Sequence, residues 1–206
     1  MAKVKVCGIT NPEDALNCVQ AHCDALGFIF YRKSSRYISP EKACSIIRKI
    51  PKRVKKIGVF VNSRQEAIKR IAKLCSLDIL QFHGNESPEF CRKFKNYKIV
   101  KVFRIKNRID IKDILKYNTF GYLFDAFSSE KYGGTGKKFN WGLLRYIKDI
   151  KKPVFLSGGI NEKNVRKAIN SVHPDWVDAS SSLEIKPGRK NSEKVRRFIK
   201  EAKTNK

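Results

Sequence analysis

Residues 3–31, KVKVCGITNPEDALNCVQAHCDALGFIFY, predict a strand, a helix and a second strand in succession. The first run alternates polar and apolar residues, as in a strand with one buried face, and Gly8 then allows a sharp turn. Asn11 offers a helix N-cap, with Pro12 at the first helical position and acidic residues in the first turn. The apolar run 25–31 returns as the second strand. Such a unit predicts two parallel strands joined by a helix.

The same alternation continues along the whole chain. Eight runs rich in Val, Ile and Phe predict strands at 3–9, 25–31, 55–61, 78–83, 98–105, 122–127, 153–159 and 176–181. Helix patterns between them cover 11–22, 39–50, 62–74, 87–94, 161–169 and 191–203, with weaker patterns at 110–116 and 140–149. An open doubly wound sheet would need only about five strands. We therefore predict a single-domain, closed (β/α)8 barrel of the TIM-barrel type over residues 1–206.

The composition is that of a globular chain, with 206 residues of which 41% are hydrophobic and 31% charged. No apolar run approaches the roughly 20 residues that a membrane helix needs. The N-terminus lacks the apolar region and the cleavage site of a secretory signal. We therefore expect a cytoplasmic protein without a membrane partner.

The net charge of +26 raises the alternative of a nucleic-acid-binding protein. The 45 Lys and Arg residues are spread over the whole chain, however, and the basic runs 51–56 and 148–152 are not interleaved with aromatic residues. Distributed charge of this kind is typical of a solvated surface. We therefore expect no nucleic-acid partner, but a positive field that favours small anionic substrates.

The six cysteines are scattered, and none forms a C-x-x-C motif. Cys18, His22 and Cys23 lie close together, but zinc sites usually draw on a second ligand pair, and none is evident. We therefore expect no metal site and reduced, mostly buried thiols. Cys7 is the exception, because it stands where the first strand ends.

The carboxyl ends of barrel strands carry the active site in this fold. Two glycines, Gly158 and Gly159, follow the seventh strand, and Ser180 and Ser181 follow the eighth. The loops after these two strands are the usual phosphate site, so we predict phosphate binding there rather than simple connecting turns. A third glycine-rich loop lacks the spacing of a nucleotide-binding loop and predicts a mobile cover instead, with Gly133, Gly134 and Gly136 as its flexible positions.

Cys7 and Asp125 end the first and sixth predicted strands, which lie on different sides of an eight-stranded barrel. One group can remove a proton while the other donates one, as an isomerase requires. A thiolate base needs cationic or dipolar neighbours that lower its pKa. A packed cysteine and a solvated aspartate remain an equal alternative from the spacing alone.

Several motifs in order along the chain resemble phosphoribosylanthranilate isomerases. They include KVCGIT (5–10), GFIFYRKSSRYISPEKA (27–43), LQFHGNE (80–86), LFDAFSSEKYGGTGKKFNW (123–141), LSGGINEKNV (156–165) and VDASSSLEIKPGRK (177–190). The resemblance extends from residue 3 to about residue 200. It implies a cofactor-free enzyme of tryptophan biosynthesis, which converts N-(5-phosphoribosyl)anthranilate to the carboxyphenylamino-deoxyribulose phosphate by an Amadori rearrangement. The sequence leaves the oligomeric state open between a monomer and a homodimer.

The resemblance also implies roles for individual residues. Asp125 would protonate the ribose ring oxygen as general acid, and Cys7 would take the proton from the second sugar carbon as general base. The planar guanidinium of Arg36 would grip the anthranilate carboxylate. The phosphate would lie against Gly158, Gly159, Ser180 and Ser181, and His83 and Asp178 would line the substrate pocket.

The chain departs from the family pattern at two of these motifs. Arg32 stands where proline is common, and Ser182 replaces a common glycine in the phosphate loop. A competing interpretation is the histidine-pathway isomerase, which performs the same type of rearrangement. Such enzymes resemble two fused half-barrels with an aspartate at the first strand, whereas this chain has Cys7 there and no evident similarity between its halves.

Overall fold

The computed structural model describes residues 1–126, 140–147 and 150–204, and it contains a closed barrel of eight parallel strands. Each strand pairs with the next along the chain, and the eighth pairs with the first, so the predicted barrel is confirmed. The strands are β1 (Lys3–Cys7), β2 (Ala25–Ile29), β3 (Lys55–Phe60), β4 (Ile79–Phe82), β5 (Lys98–Ile105), β6 (Gly121–Ala126), β7 (Val154–Leu156) and β8 (Trp176–Ala179).

Helices connect the strands at the predicted places. They are α1 (Pro12–Gln20), α2 (Pro40–Ile47), α3 (Gln65–Leu74), α4 (Pro88–Arg92), α5 (Ile111–Leu115), α6 (Val165–Val172) and α7 (Ser192–Lys203). The side chains of Asn11, Ser39 and Ser87 accept hydrogen bonds from the first turns of α1, α2 and α4, as their sequence signals predict. The weaker pattern at 140–149 contains a 3₁₀ helix, Trp141–Ile147. Among the described residues, no helix is long and apolar enough to cross a membrane.

The barrel interior is apolar at its amino-terminal end and polar at its carboxyl end. Eight buried side chains fill the lower interior: Ala25, Ile57, Ile79, Val100, Val102, Leu123, Phe155 and Trp176. A larger apolar cluster packs the outer faces of the strands against the helices. Side chains two residues further along each strand share the inner face, so the next positions, such as Gln81, Asp125 and Asp178, face the carboxyl end.

The inner face of β1 corrects one prediction. The alternation of KVKV suggested a strand with one buried face and exposed lysines, but Lys5 is fully buried, as are Val4 and Val6. The reason is that both faces of a barrel strand are covered, and Lys5 shares the inner face with Cys7. Lys5 is therefore part of the barrel interior.

A short antiparallel hairpin follows β8 and was not predicted. It consists of β9 (Glu184–Lys186) and β10 (Arg189–Lys190), with Gly188 in the turn at a φ of 79°. Thr10 donates a hydrogen bond to the carbonyl of Gly188, at 2.5 Å, which fixes the hairpin over the loop after β1. The hairpin thereby brings Glu184 and Lys190 beside the carboxyl end of the barrel.

Candidate active site

A cavity lies at the carboxyl ends of the barrel strands. Its lining includes six residues that the sequence predicts for the site: Cys7, Arg36, His83, Asp125, Asp178 and Ser180. Asn62 and Arg104, near the carboxyl ends of β3 and β5, lie around Asn85 instead, since Asn62 Oδ1 accepts from the Asn85 amide and Arg104 donates to Asn85 Oδ1. The predicted mobile positions Gly133, Gly134 and Gly136 lie outside the described residues.

Cys7 ends β1 with its sulfur on the inner face, and only 6% of the residue is exposed. Its register partner on β2 is Gly27, where an added Cβ would lie 2.6 Å from the sulfur, so the glycine makes room for the thiol. Burial raises the pKa of the Cys7 thiol, and the charge of Asp178 adds to that effect. The positive charges of Lys5 and Lys190 act in the opposite direction.

Asp125 and His83 form the opposite side of the site, on β6 and in the loop after β4. Asp125 Oδ1 accepts a hydrogen bond from the amide of Ala126 at 2.8 Å, which fixes the carboxyl group. His83 Nε2 lies 3.3 Å from Asp125 Oδ2 but has no hydrogen-bond partner among the described residues. Gln81 Nε2 lies 3.3 Å from His83 Nδ1 and can donate to it in the tautomer that carries its proton on Nε2.

Arg36 is held by a carboxylate that the sequence did not single out. Glu184 Oε2 accepts from Arg36 NH2 at 2.7 Å, and both carboxylate oxygens lie within 3.0 Å of Arg36 Nε. Lys190 Nζ lies 2.9 Å from Glu184 Oε1 and also donates to the carbonyls of Cys7, at 2.6 Å, and Ser180, at 3.2 Å. Two cations share one carboxylate, which leaves one net positive charge beside the cavity.

The predicted phosphate loops lie at the seam between β7, β8 and β1. The Ser180 hydroxyl is buried and, within the described part of the chain, makes no hydrogen bond, so it is available to a ligand. An added Cβ at Gly8 would lie 2.9 Å from that hydroxyl and 2.8 Å from Arg36 Cδ. Gly158, with a φ of 86°, packs against Asp125 and Ala126. The loops therefore depend on glycine for close approach.

The rest of the phosphate loops is fixed by local hydrogen bonds. Gly159 has a φ of 66°, and its carbonyl accepts from the Asn164 side chain. Ser181 begins a 3₁₀ turn that contains Ser182. The Ser182 hydroxyl donates to the carbonyl of Ile160 at 2.5 Å and so joins the two loops. Ser182 does not have a positive φ, so the serine is accommodated without the conformation that favours glycine.

Asp178 forms an ion pair with a buried lysine and also lines the cavity. Its Oδ1 lies 2.9 Å from Lys5 Nζ, and Asp178 and Lys5 are register partners on β8 and β1. Only 5% of Asp178 is exposed. Lys5, Glu184 and Lys190 are buried charged residues beside the site that sequence reasoning missed, although Lys5 stands two residues before Cys7 and so shares its face.

These features define a (β/α)8 barrel whose cavity, at the carboxyl ends of the strands, brings together a thiol, a carboxylic acid and a net positive charge. Among the described residues, no group of three or more His, Cys, Asp or Glu side chains could hold a metal ion.

The comparisons with known proteins identify the family. The family model described as N-(5'phosphoribosyl)anthranilate (PRA) isomerase matches residues 4–201, and the chain belongs to this family. The N-(5'-phosphoribosyl)anthranilate isomerase of Trichlorobacter lovleyi is 45% identical over 203 residues, which are 98% of each chain.

Solved structures of the family have the same fold. The crystal structure of phosphoribosyl anthranilate isomerase from Thermotoga maritima is 44% identical, with a TM-score of 0.93 over 98% of this chain and 99% of that one. A phosphoribosyl anthranilate isomerase crystallised with reduced 1-(o-carboxyphenylamino)-1-deoxyribulose 5-phosphate is 42% identical, with a TM-score of 0.90 and the same coverage.

Proposed function

We propose that this chain isomerises N-(5'-phosphoribosyl)anthranilate to 1-(2-carboxyphenylamino)-1-deoxy-D-ribulose 5-phosphate in tryptophan biosynthesis. The observation that carries the proposal is the shared cavity of Cys7, Asp125, Arg36 and Ser180, in a chain of this family. The reaction is an Amadori rearrangement, which needs one proton donor, one proton acceptor and no external redox partner.

Asp125 is the general acid in this proposal. It gives a proton to the ribose ring oxygen, the carbon–oxygen bond at the anomeric carbon breaks, and the nitrogen lone pair forms a Schiff base. The Ala126 amide orients the carboxyl group, and His83 Nε2 lies 3.3 Å from Asp125 Oδ2. Gly158 allows the β7 loop to close against the acid without a side chain in the way.

Cys7 is the general base. Its thiolate removes the proton from the second sugar carbon, the electron pair moves toward the iminium nitrogen, and the resulting enolamine tautomerises to the ketose. Because β7 and β8 separate β6 from β1 around the barrel, the base and the acid approach the sugar from different sides. The two proton transfers therefore do not compete for one group.

The two anionic ends of the substrate have separate partners. Arg36 binds the anthranilate carboxylate, since Glu184 holds the Nε and NH2 edge of the guanidinium and the net charge of the three-residue cluster stays positive. The phosphate lies against Gly158, Gly159, Ser180 and Ser181, where the free Ser180 hydroxyl is a ready donor. His83 and Asp178 line the pocket between them.

A fluorescence assay tests the function directly. Freshly made phosphoribosylanthranilate is mixed with the purified protein, and loss of anthranilate emission is followed. We expect enzyme-dependent conversion in the absence of metal or cofactor, at a rate about 10²–10⁴-fold lower with the Cys7→Ser variant. No conversion of this substrate, with turnover of the histidine-pathway aminoaldose phosphate instead, would replace the proposal with the competing isomerase.

Other partners and the location of the protein stay predictions. We expect no nucleic-acid partner, a cytoplasmic location, and either a monomer or a homodimer. Light scattering coupled to size-exclusion chromatography measures the oligomeric state. A salt titration with labelled DNA measures nucleic-acid affinity, because binding by distributed lysines would fall steeply with ionic strength.

A further inference from the structure

We propose that Lys5 is the positioning residue that allows Cys7 to accept a proton, and that Asp178 both holds the Lys5 ammonium in place and limits its effect. The inference deepens the proposed function and rests on the assignment of Cys7 as general base. Lys5 is fully buried on the inner face of β1, so it acts on the substrate only through the thiol.

The placement of Lys5 follows from strand geometry. Lys5 and Cys7 are two residues apart on β1, so their side chains share the inner face of the barrel. On one side, Lys5 pairs with Asp178 of β8, and Lys5 Nζ lies 2.9 Å from Asp178 Oδ1. On the other side, it pairs with Ala25 of β2, which has no polar side chain. Lys5 and Cys7 are both buried there, and the positive charge of Lys5 acts on the Cys7 thiol.

The positive charge of Lys5 opposes the effect of burial on the pKa of the Cys7 thiol. Burial raises the pKa of the Cys7 thiol above its usual value, so most of the thiol is protonated at neutral pH. Only the thiolate fraction can accept a proton, and the charge of Lys5 increases that fraction. The charged groups facing the thiol are Lys5 on β1, Asp178 on β8 and Lys190 on β10, while Arg36, His83 and Asp125 line the same cavity.

The two members of the ion pair have opposite effects on the thiol, which provides the test. Lys5→Met removes the positive charge, so the pKa of Cys7 rises and its thiolate fraction at a fixed pH falls about tenfold for each unit of the rise. Asp178→Asn removes the negative charge, so the pKa of Cys7 falls and the thiolate fraction grows. If the ion pair served stability alone, both variants would change the alkylation of Cys7 in the same direction, because either change breaks a buried ion pair.

The experiment measures alkylation of Cys7 by iodoacetamide in the folded, substrate-free protein across the alkaline range. Mass spectrometry of the peptide that contains Cys7 gives the rate, and the pH at half-maximal rate gives the pKa of the thiol. Cys18 and Cys75 are buried and serve as internal references in the same sample. Loosening of the fold would accelerate all three thiols, whereas loss of the Lys5 charge slows Cys7 alone.

Lys101→Met is the matched control, since Lys101 is also a buried lysine in an ion pair, with Glu86 at 2.9 Å. We expect it to leave the alkylation profile of Cys7 unchanged. An unchanged Cys7 profile in Lys5→Met, or a shift of the same sign in both ion-pair variants, overturns the proposal. If Lys5→Met does not fold, the Asp178→Asn variant decides: a lower pKa of the Cys7 thiol supports the proposal, and an unchanged or higher pKa overturns it. No substrate is used, so the outcome is separate from that of the isomerase assay.

Discussion

Replacing Glu184 with glutamine tests how the site presents Arg36. Glu184 is 8% exposed, and its carboxylate is shared by the Arg36 guanidinium and the Lys190 ammonium. Glutamine keeps the volume but not the charge, so two buried cations lose their common partner. Breaking a buried ion pair in this way costs about 3–5 kcal/mol, and we expect the lower end because the amide oxygen still accepts one hydrogen bond.

The Glu184→Gln substitution should affect both the stability of the protein and the binding of the substrate. At an m value of about 2–3 kcal/mol/M for urea, a loss of about 3 kcal/mol lowers the unfolding midpoint by about 1 M or more. Arg36 is no longer fixed, so part of its charge-assisted hydrogen bonding to the substrate is lost. We expect KM to rise about tenfold, equivalent to about 1.4 kcal/mol, with kcat changed by less than about threefold because the acid and the base are untouched.

The pH dependence of the stability effect has a defined sign. Burial alone would raise the pKa of the Glu184 carboxyl, but the hydrogen bonds and charges of Arg36 and Lys190 outweigh it, and the pKa lies below its usual value. A carboxyl whose pKa is lowered by folding stabilises the protein above its unfolded pKa, about 4.3, and loses that contribution as the pH falls through the folded value. The difference in the free energy of unfolding between wild type and Glu184→Gln should therefore be largest at neutral pH and become smaller in acid.

The assays are urea unfolding followed by tryptophan fluorescence, and initial rates of anthranilate emission loss. Glu13→Gln is the matched control. Glu13 pairs at 2.6 Å with Arg189, the neighbour of Lys190 on β10, but both side chains of this pair are exposed to solvent. Exposed pairs contribute little, so this variant should keep both its midpoint and its KM. A Glu184→Gln protein with a lower midpoint and an unchanged KM would refute the idea that Glu184 positions Arg36.

Three further substitutions probe the proposed chemistry in the same rate assay. Cys7→Ser should lower kcat about 10²–10⁴-fold in a folded protein, since a hydroxyl is a far weaker base, and near-normal turnover would remove Cys7 from the mechanism. Asp125→Asn should lower kcat by a similar factor with little change in KM, and a pure KM effect would make Asp125 a binding residue instead. Arg36→Ala should raise KM about 10–100-fold, as expected for loss of a charged hydrogen bond; an unchanged KM would contradict the carboxylate contact.

The barrel was predictable because its signals are local. Each strand is a short apolar run, each of several helices begins with a capping residue followed by proline, and strict alternation of the two permits few topologies. Asn11, Ser39 and Ser87 cap their helices as predicted. The hairpin β9–β10 escaped prediction because its strands have three and two residues, and Ile185 is 70% exposed, so no buried apolar run marks it.

Lys5, Glu184 and Lys190 were not predictable for a different reason. In a chain with 45 Lys and Arg residues, a buried lysine has no distinguishing composition. What permits its burial is a carboxylate far away in sequence: Lys5 and Asp178 are 173 residues apart, and Arg36 and Glu184 are 148 apart. Inner-face periodicity could have placed Lys5 beside Cys7, but only the barrel register supplies its partner.

These long separations share a cause, which is that the site lies across the seam where the two ends of the chain meet. Cys7 and Lys5 belong to β1, and Asp178 and Ser180 belong to β8 and the loop after it. Lys190 bonds to the carbonyls of both Cys7 and Ser180 and so bridges the seam directly. An intermediate with seven paired strands would hold the acid side, Asp125 and His83, but would lack the charge environment of the thiol. The charged surroundings of the Cys7 thiol are therefore complete only when β8 pairs with β1.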